Sequence, residues 1–227
     1  MGSRDGAAGS AGSDPVTGRF IVVEGAEGVG KSTQIARLQA FLGEAGVSVV
    51  TGREPGQTSI GEGIRELLLH GSRSPLPPRA ELHLILAARA AYVTEVVRPA
   101  LDSGRWVVSD RFDLSTFAYQ GYGRGLDRER IAEMNHDVTS GLAPDLYLVL
   151  DLGVEEGMAR RARAGRSNDR IESAGPDFLN RVREGYVELV ESTTNAVLIP
   201  ADGTPEEVEG RVRREIMRRF PEVGDLP

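Results

Sequence analysis

The sequence has 227 residues, a net charge of −7 at pH 7 and no cysteine. The length is enough for one domain with its own core, the negative charge argues against a general nucleic-acid-binding surface, and the lack of cysteine excludes disulfides, thiol catalysis and thiolate metal sites. No apolar run approaches the roughly 18 residues that cross a membrane and no signal peptide is visible, so we expect a cytoplasmic protein without membrane contacts.

Residues 1–18 are mostly Gly, Ala, Ser and Asp, without periodicity. A stretch of this composition has little apolar surface to bury, which predicts a flexible, disordered tail. We therefore expect the fold to occupy residues 19–227.

A short strand, a glycine-rich loop and a helix follow the tail. Residues 20–23 are apolar, as in a buried strand, and apolar residues recur at helical spacing between residues 35 and 42. The loop between them fits the phosphate-binding pattern G-x-x-x-x-G-K-[ST] and reads Gly25-Ala26-Glu27-Gly28-Val29-Gly30-Lys31-Ser32.

The residue types of this loop explain its chemistry. Glycines let the backbone fold round a phosphate without Cβ clashes, and the N–H groups of the loop and helix start point at the anion. Lys31 should reach the β- and γ-phosphates of a nucleotide, and the Ser32 hydroxyl should hold Mg²⁺. Lys31 is the only lysine among 27 lysine and arginine residues, which fits a site that needs a compact ammonium group rather than a planar guanidinium.

Four further apolar runs predict strands at 47–50, 106–111, 146–150 and 197–200. Helical patterns separate or follow them, at 60–69, 79–102, 126–140, 154–164, 178–193 and 205–220. Short strands that alternate with helices predict an α/β fold, with a five-stranded parallel sheet covered by helices on both faces.

Charged residues stand at the predicted strand ends. Arg53 opens a turn after the second strand, at the edge where open α/β sheets bind ligands, although a solvated arginine is the alternative. Asp110 ends the third strand, where proteins with a phosphate-binding loop hold Mg²⁺, or else it caps the next helix. Arg111 beside it would face the phosphates. Arg89, within the 79–102 helix, either reaches water or meets an anion or a carbonyl group.

Two later stretches carry further polar groups. Residues 112–121 combine hydrogen-bonding and aromatic side chains, which suits a base and sugar, or else an ordinary amphipathic helix start. The helix from residue 154 runs into arginines at 160, 161, 163, 166 and 170. Such a run is usually a solvated face. Here Gly165, Ser167 and Asn168 break the helix, which favours a basic lid over about 157–172 that closes over phosphates and excludes water.

With these residues placed, the chain closely resembles the thymidylate kinases, which are P-loop nucleoside monophosphate kinases, from about residue 19 to residue 220. Six segments in order carry the resemblance: Glu24-Gly25-x-Glu27-Gly28-x-Gly30-Lys31-Ser32-Thr33, Arg53-Glu54-Pro55-Gly56, Ala87-Ala88-Arg89, Ser109-Asp110-Arg111, Ser115-Thr116-x-x-Tyr119-Gln120-Gly121 and Asp169-Arg170-Ile171-Glu172.

The resemblance implies a homodimer of a single nucleoside monophosphate kinase domain that uses ATP and Mg²⁺. The residues expected at ATP are Gly25, Ala26, Glu27, Gly28, Val29, Gly30, Lys31, Ser32 and Thr33. Those expected around Mg²⁺ are Ser32, Asp110 and Glu27, and Glu27 would also lie close to the transferred phosphoryl group.

The resemblance also implies a site for the acceptor nucleotide, dTMP. Arg53 and Arg111 would bind its phosphate. Arg89 would bond thymine, and Thr116 would read the polar edge of the base. Tyr119 would pack on the deoxyribose where a 2′-hydroxyl would sit. Gln120 would support this wall, and Ser115 belongs to the same motif and the same predicted site.

Thymidylate kinases differ in the origin of the catalytic arginine. One group carries it in the phosphate-binding loop, at the position of Gly28 here. The other, common in bacteria, supplies it from the lid. The glycine makes this chain resemble the second group, with Arg163 and Arg166 as candidates and Arg160 behind them. Together with Lys31, Glu27 and Arg53, these two candidates form the expected catalytic set.

Two positions depart from the family pattern. The family usually has phenylalanine four residues before the position of Arg89, stacked on thymine, and Ile85 stands there in this chain. An aliphatic side chain still covers a base but loses a stacking preference of about 1 kcal/mol. Gln57 replaces a glycine that is common after Arg-Glu-Pro-Gly.

The expected reaction is the phosphorylation of dTMP to dTDP by ATP and Mg²⁺, by in-line positioning and charge neutralisation. One alternative is a kinase for another pyrimidine monophosphate such as dUMP, which Ile85 favours. The other is a non-catalytic ATP-binding switch, which has no need of a second phosphate site such as Arg53 and Arg111 would form.

Overall fold

The computed structural model describes residues 18–70, 76–165, 170 and 174–224. Its five strands form one sheet in the order β2-β3-β1-β4-β5, and every neighbouring pair is parallel. The strands are β1 (Phe20–Glu24), β2 (Val49–Arg53), β3 (Trp106–Asp110), β4 (Leu146–Asp151) and β5 (Ala196–Pro200). The predicted fold class is confirmed.

Helices cover both faces of the sheet. They are α1 (Lys31–Glu44), α2 (Ser59–Leu69), α3 (Pro78–Tyr92), α4 (Arg98–Asp102), α5 (Asp113–Thr116), α6 (Arg128–Thr139), α7 (Val154–Arg163), α8 (Pro176–Ser192) and α9 (Pro205–Arg219). A π-helical turn, Val93–Val97, joins α3 to α4, and another, Phe117–Gly123, follows α5. None of the described helices is long and apolar enough to cross a membrane.

The alternation of side chains along β1 divides the core in two. Ile21 and Val23 pack on the face covered by α1 and α9, whereas Phe20 and Val22 pack on the face that carries α8. All four residues are buried because β1 is the central strand. The carboxyl end of β1, from which the glycine-rich loop departs, is therefore held on both sides.

The second strand differs from its predicted bounds of 47–50. The N–H of Val47 donates to the carbonyl of Leu42, with Gly46 at φ +73°, so Val47 belongs to the turn that follows α1. The strand then continues through Thr51 and Gly52 to Arg53, which lies opposite Asp110 of β3. Arg53 is thus at the carboxyl end of its strand, as expected.

The predicted tail falls almost wholly outside the described residues, which begin at Gly18. A Cβ on Gly18 would lie 2.7 Å from the carbonyl oxygen of Arg105 and 2.8 Å from the Cα of Leu101. This glycine therefore already belongs to the packed part of the chain.

Candidate active site

A cavity of about 750 Å³ opens at the carboxyl edge of β1, β2 and β3. This is the edge at which parallel α/β sheets bind ligands. Its wall combines the glycine-rich loop, the end of β2, the middle of α3, the segment after β3 and the basic end of α7. The structure thus brings together residues that are far apart in the sequence.

The glycine-rich loop needs backbone conformations that side chains disfavour. Gly25, Gly28 and Gly30 have φ angles of +130°, +76° and +98°. Helix α1 begins directly afterwards without a side-chain cap, so the N–H groups of its first turn remain available to an anion.

Lys31 lies folded back against this loop. Its Nζ donates to the carbonyl oxygens of Gly25, at 3.0 Å, and Ala26, at 2.8 Å. Burial lowers the pKa of Lys31, with the Arg111 charge acting in the same direction.

Arg111 lies just beyond β3 and is held from several sides. Its φ of +74° turns the chain out of the strand, which therefore ends at Asp110 rather than at residue 111 as predicted. One guanidinium nitrogen donates to the hydroxyls of Ser115 and Tyr186, both at 3.1 Å. The other donates to the Glu27 carboxylate and to the Tyr119 hydroxyl, the latter at 3.1 Å.

Glu27 is the carboxylate nearest to these cations. Burial acts to raise its pKa, but the charges of Arg111, Lys31 and Arg161 together outweigh burial and lower the pKa of Glu27 to about 2. Glu27 is therefore ionised throughout the neutral range. Arg161, which acts on the pKa of Glu27, lies in the predicted lid but is not among the catalytic candidates predicted from the sequence.

A second, fully buried carboxylate supports the floor of the site. Glu24, the last residue of β1, accepts hydrogen bonds from the backbone N–H of Phe112 at 2.8 Å, the Ser115 hydroxyl at 2.6 Å and the Tyr186 hydroxyl at 3.0 Å. Burial raises the pKa of Glu24. These bonds tie β1, α5 and α8 together beneath Arg111.

Tyr186 was not predicted as a site residue, because it lies 75 residues after Arg111, on a helix with an ordinary amphipathic pattern. No local signal distinguishes this tyrosine from a core aromatic residue.

Arg53 occupies the rim of the cavity. Its side chain is 49% exposed and pairs with Glu62 on α2 at 2.8 Å. The same Glu62 oxygen accepts from the backbone N–H of Gln57 at 2.7 Å. Because the pair is exposed, a stronger anion can compete for Arg53.

Arg89 is buried, so the interpretation that it reaches water is wrong. Its Nε and one Nη lie 2.8 Å and 2.7 Å from the Glu54 carboxylate. The other bonds run to the Thr116 hydroxyl, the Asn135 side chain and the carbonyl of Phe112, at 2.7–2.9 Å. Each of the three Arg89 nitrogens therefore donates at least one hydrogen bond within the protein. Burial raises the pKa of Glu54 to about 7, against the opposing charge of Arg89.

Four of the residues that line the cavity have a buried side-chain oxygen atom without a hydrogen-bond partner among the described residues. These atoms are Oε1 of Gln34, Oε1 of Glu54, Oδ1 of Asp110 and Oε1 of Gln120. Buried polar atoms are normally hydrogen-bonded, so unpaired acceptors beside a cavity point to a ligand. Ile85 lines the same cavity one helical turn before Arg89, as expected from their spacing.

Comparisons with known proteins agree on one family. The sequence model of the thymidylate kinase family matches residues 23–212. Thymidylate kinases from Synechococcus sp. (strain CC9605) and Chromohalobacter salexigens are each 47% identical to this chain, over 90% and 89% of it and 100% and 97% of their own lengths. The crystal structure of thymidylate kinase from Ehrlichia chaffeensis superposes with a TM-score of 0.71 at 29% identity, over 87% of this chain and 98% of that one.

The chain belongs to the thymidylate kinase family. In its glycine-rich loop, the backbone at Gly28 lies so close to α7 that it bears on whether a catalytic arginine could stand at residue 28. A Cβ on Gly28 would lie 2.2 Å from the carbonyl oxygen of Gly157 on α7, and φ at Gly28 is positive. The close approach of α7 leaves no room for an arginine at residue 28 in this family member.

The arginines of the predicted lid are only partly described in this thymidylate kinase family member. Arg160 donates to Glu156 and to the carbonyl of Ala201, and Arg163 donates to Glu156. Both line the cavity together with Arg161. Arg166 lies outside the described residues, as do Asp169, Ile171 and Glu172 of the sixth motif.

Proposed function

We propose that this chain transfers the γ-phosphoryl group of ATP to dTMP, giving dTDP and ADP, as a single kinase domain over residues 19–227. The observation that carries the proposal is that one cavity is lined both by the phosphate-binding loop with Arg111 and by polar side chains suited to a base, such as Thr116 and Gln120. Membership of the thymidylate kinase family supports the same reaction.

ATP would bind along Gly25–Thr33, with its β- and γ-phosphates in the loop. The N–H groups at the start of α1 are free to receive them. Lys31 would exchange its two carbonyl partners, Gly25 and Ala26, for phosphate oxygens. This exchange conserves the number of hydrogen bonds while bringing opposite charges together.

The residues at the loop fit a Mg²⁺ ion that arrives with ATP. Among the described residues, no group of three or more histidine, aspartate or glutamate side chains could hold a metal alone. Mg²⁺ commonly takes one or two protein carboxylates and completes its shell with phosphates and water. The unpaired Oδ1 of Asp110, the Ser32 hydroxyl and the Glu27 carboxylate suit that role. When bound, the ion would neutralise charge on the transferred group.

Arg53 and Arg111 would bind the acceptor phosphate. Each is now paired with a carboxylate, Glu62 and Glu27 respectively. A doubly charged phosphate would compete for both guanidinium groups. The displaced Glu27, ionised because of its low pKa, would then face the transferred phosphoryl group and Mg²⁺.

The thymine base would lie against Ile85, with its polar edge toward Thr116 and Gln120. The unpaired Oε1 of Gln120 can accept the N3–H of thymine. Tyr119 would pack on the deoxyribose. Ser115 would help indirectly, because its hydroxyl is bonded to Glu24 and Arg111.

Arg89 would act on the base through Thr116. A direct bond to thymine, as the resemblance implies, would compete with the protein partners that all three Arg89 nitrogens already have. The Thr116 oxygen already accepts from Arg89 at 2.9 Å. Its own hydrogen is therefore free to turn toward a carbonyl of the base.

The catalytic arginine would come from the lid, with Arg163 and Arg166 as the candidates from the sequence. Arg161 joins them because its charge acts on Glu27. Closure of the lid would exclude water and so prevent hydrolysis of ATP.

We further propose that the enzyme is a cytoplasmic homodimer. The α3 helix exposes His83 and Ala87, and the π-helical turn that follows it exposes Thr94. Light scattering after size-exclusion chromatography tests the oligomeric state. A monomeric mass at micromolar concentration would contradict this part.

The proposed reaction is tested by a coupled assay of ADP release with ATP and Mg²⁺ against dTMP, dUMP, UMP, dCMP and dGMP. We expect dTMP to give the highest kcat/KM. A preference for dUMP or another pyrimidine would retain the phosphate chemistry but refute the base assignment. ATP binding without acceptor-dependent ADP release would instead favour a nucleotide-binding switch.

A further inference from the structure

Glu81, in the first turn of α3, is a fully buried carboxylate that the proposed reaction does not use. One of its oxygens accepts from Nε2 of Gln120 at 2.8 Å and from Nε of Arg124 at 3.3 Å. The other accepts from Nη2 of Arg124 at 3.3 Å and from Nη2 of Arg170 at 2.9 Å. Glu81 therefore joins α3, the π-helical turn and a lid residue.

The chemistry of a carboxylate decides which way the Gln120 amide points. An ionised carboxylate only accepts hydrogen bonds, whereas a glutamine amide has a donor end and an acceptor end. All four hydrogen bonds at Glu81 are accepted by its two oxygens. The NH₂ group of Gln120 must then face Glu81, and its Oε1 must face away. That oxygen is one of the buried atoms without a partner on the residues that line the cavity.

We propose that Glu81 is a positioning residue for base selection, which it exerts by fixing the orientation of Gln120. Resting on the function proposed above, this inference names the residue that turns an acceptor toward the base. An acceptor at this place matches a pyrimidine that carries N3–H, such as thymine. It opposes cytosine, whose N3 is itself an acceptor, because two acceptors would then face each other.

The neighbouring arginines explain why glutamine would not serve at position 81. In Glu81→Gln, Arg124 and Arg170 still require an acceptor, so the new carbonyl oxygen would face them. The new NH₂ group would then face Gln120, whose amide would turn over to accept from it. Gln120 would present its own NH₂ group to the base, and the preference would shift toward cytosine.

The test measures kcat/KM for dTMP and dCMP in four proteins: wild type, Glu81→Gln, the exchange variant Glu81→Gln with Gln120→Glu, and Arg124→Met. In the exchange variant, the amide at residue 81 donates to a carboxylate at residue 120. The other oxygen of that carboxylate faces the base, so an acceptor again lies there. The net charge of the protein is unchanged. Arg124→Met is the matched control, because it removes one arginine from Glu81 but leaves the carboxylate facing Gln120.

We expect the dTMP-to-dCMP ratio of kcat/KM to fall at least tenfold in Glu81→Gln, to return to within about threefold of wild type in the exchange variant, and to stay unchanged in Arg124→Met. Melting by circular dichroism identifies any variant that does not fold. If Glu81→Gln does not fold, the dTMP-to-dCMP ratio in the exchange variant still tests the inference. A merely structural role for Glu81 predicts that this ratio does not recover in the exchange variant.

An unchanged ratio in a folded Glu81→Gln variant that still phosphorylates dTMP would overturn this inference and leave the proposed function intact. An equal loss for both substrates, without recovery in the exchange variant, would overturn it as well. A wild-type protein that does not phosphorylate dTMP would refute the proposed function, and this inference with it.

Discussion

The close approach between α7 and the glycine-rich loop predicts a kinetic effect for Gly157→Ala. A Cβ on Gly157 would lie 2.7 Å from the carbonyl oxygen of Glu27, whereas ordinary contact begins at 3.4 Å. Helix α7 must therefore move away from the loop by about 0.7 Å, the difference between these two distances. This helix carries Arg160, Arg161 and Arg163 into the cavity.

A displacement of this size is large on the scale of phosphoryl transfer. Misplacement of a catalytic group by about 1 Å lowers a rate by about 100-fold, so we expect kcat to fall between about tenfold and 100-fold. The free energy of unfolding should fall by no more than about 2 kcal/mol. Alanine favours the helix by about 1 kcal/mol, and overpacking costs about 1–3 kcal/mol.

The assay is steady-state ADP release with ATP and dTMP, together with thermal melting of each variant. Gly210→Ala in α9 is the matched control, since its Cβ would have no heavy atom within 4 Å. The control should gain about 1 kcal/mol of stability and keep the wild-type kcat. If Gly157→Ala kept kcat within twofold of wild type, the idea that this contact positions the lid arginines would be refuted.

Three further predictions concern single residues. Lys31→Ala should leave the melting temperature near that of wild type and lower kcat by orders of magnitude, because the phosphates lose their only ammonium partner; near-normal turnover would contradict the loop assignment. Ile85→Phe should lower the KM for dTMP about fivefold, since stacking contributes about 1 kcal/mol, and an unchanged KM would show that residue 85 does not cover the base. The raised pKa of Glu54, about 7 against 4.5, means that the folded protein holds a proton that the unfolded chain releases. Stability from this proton is present at low pH and falls as the pH rises from about 4.5 through about 7. Urea unfolding at several pH values should therefore show Glu54→Gln gaining stability relative to wild type as the pH rises, and parallel curves for the two proteins would argue against the raised pKa.

Local sequence patterns were sufficient for the sheet and for the phosphate end of the site. The strand, glycine loop and helix around Lys31 form one contiguous segment, so the geometry of the loop follows from residues that are neighbours in the chain. Arg53, Asp110 and Arg111 were also located, because the carboxyl ends of parallel strands meet at one edge.

The base end of the site depends on contacts that no local pattern encodes. Arg89 bonds Glu54 and Asn135, which lie 35 and 46 residues away. Whether a buried arginine binds a ligand or a protein carboxylate is decided by these partners and not by its own helix. Glu81 and Arg170 are separated by 89 residues, and both read as ordinary charged positions in the sequence.

The π-helical geometry near Gln120 was also not predictable from the sequence pattern. The π-helical turn Phe117–Gly123 buries Tyr119, Gln120 and Gly121 in succession. An amphipathic α-helix of 3.6 residues per turn does not bury three consecutive residues in this way. The periodicity used to recognise helices therefore fails at the turn that shapes the pocket.

The central claim is that dTMP is the phosphoryl acceptor, and identification of the product tests it most directly. The protein is incubated with ATP, Mg²⁺ and dTMP, and the nucleotides are separated and identified by mass spectrometry. The account predicts dTDP and ADP in equal amounts, with no dTDP formed by Lys31→Ala. ADP released without dTDP, or no ADP above the level with ATP alone, would contradict it.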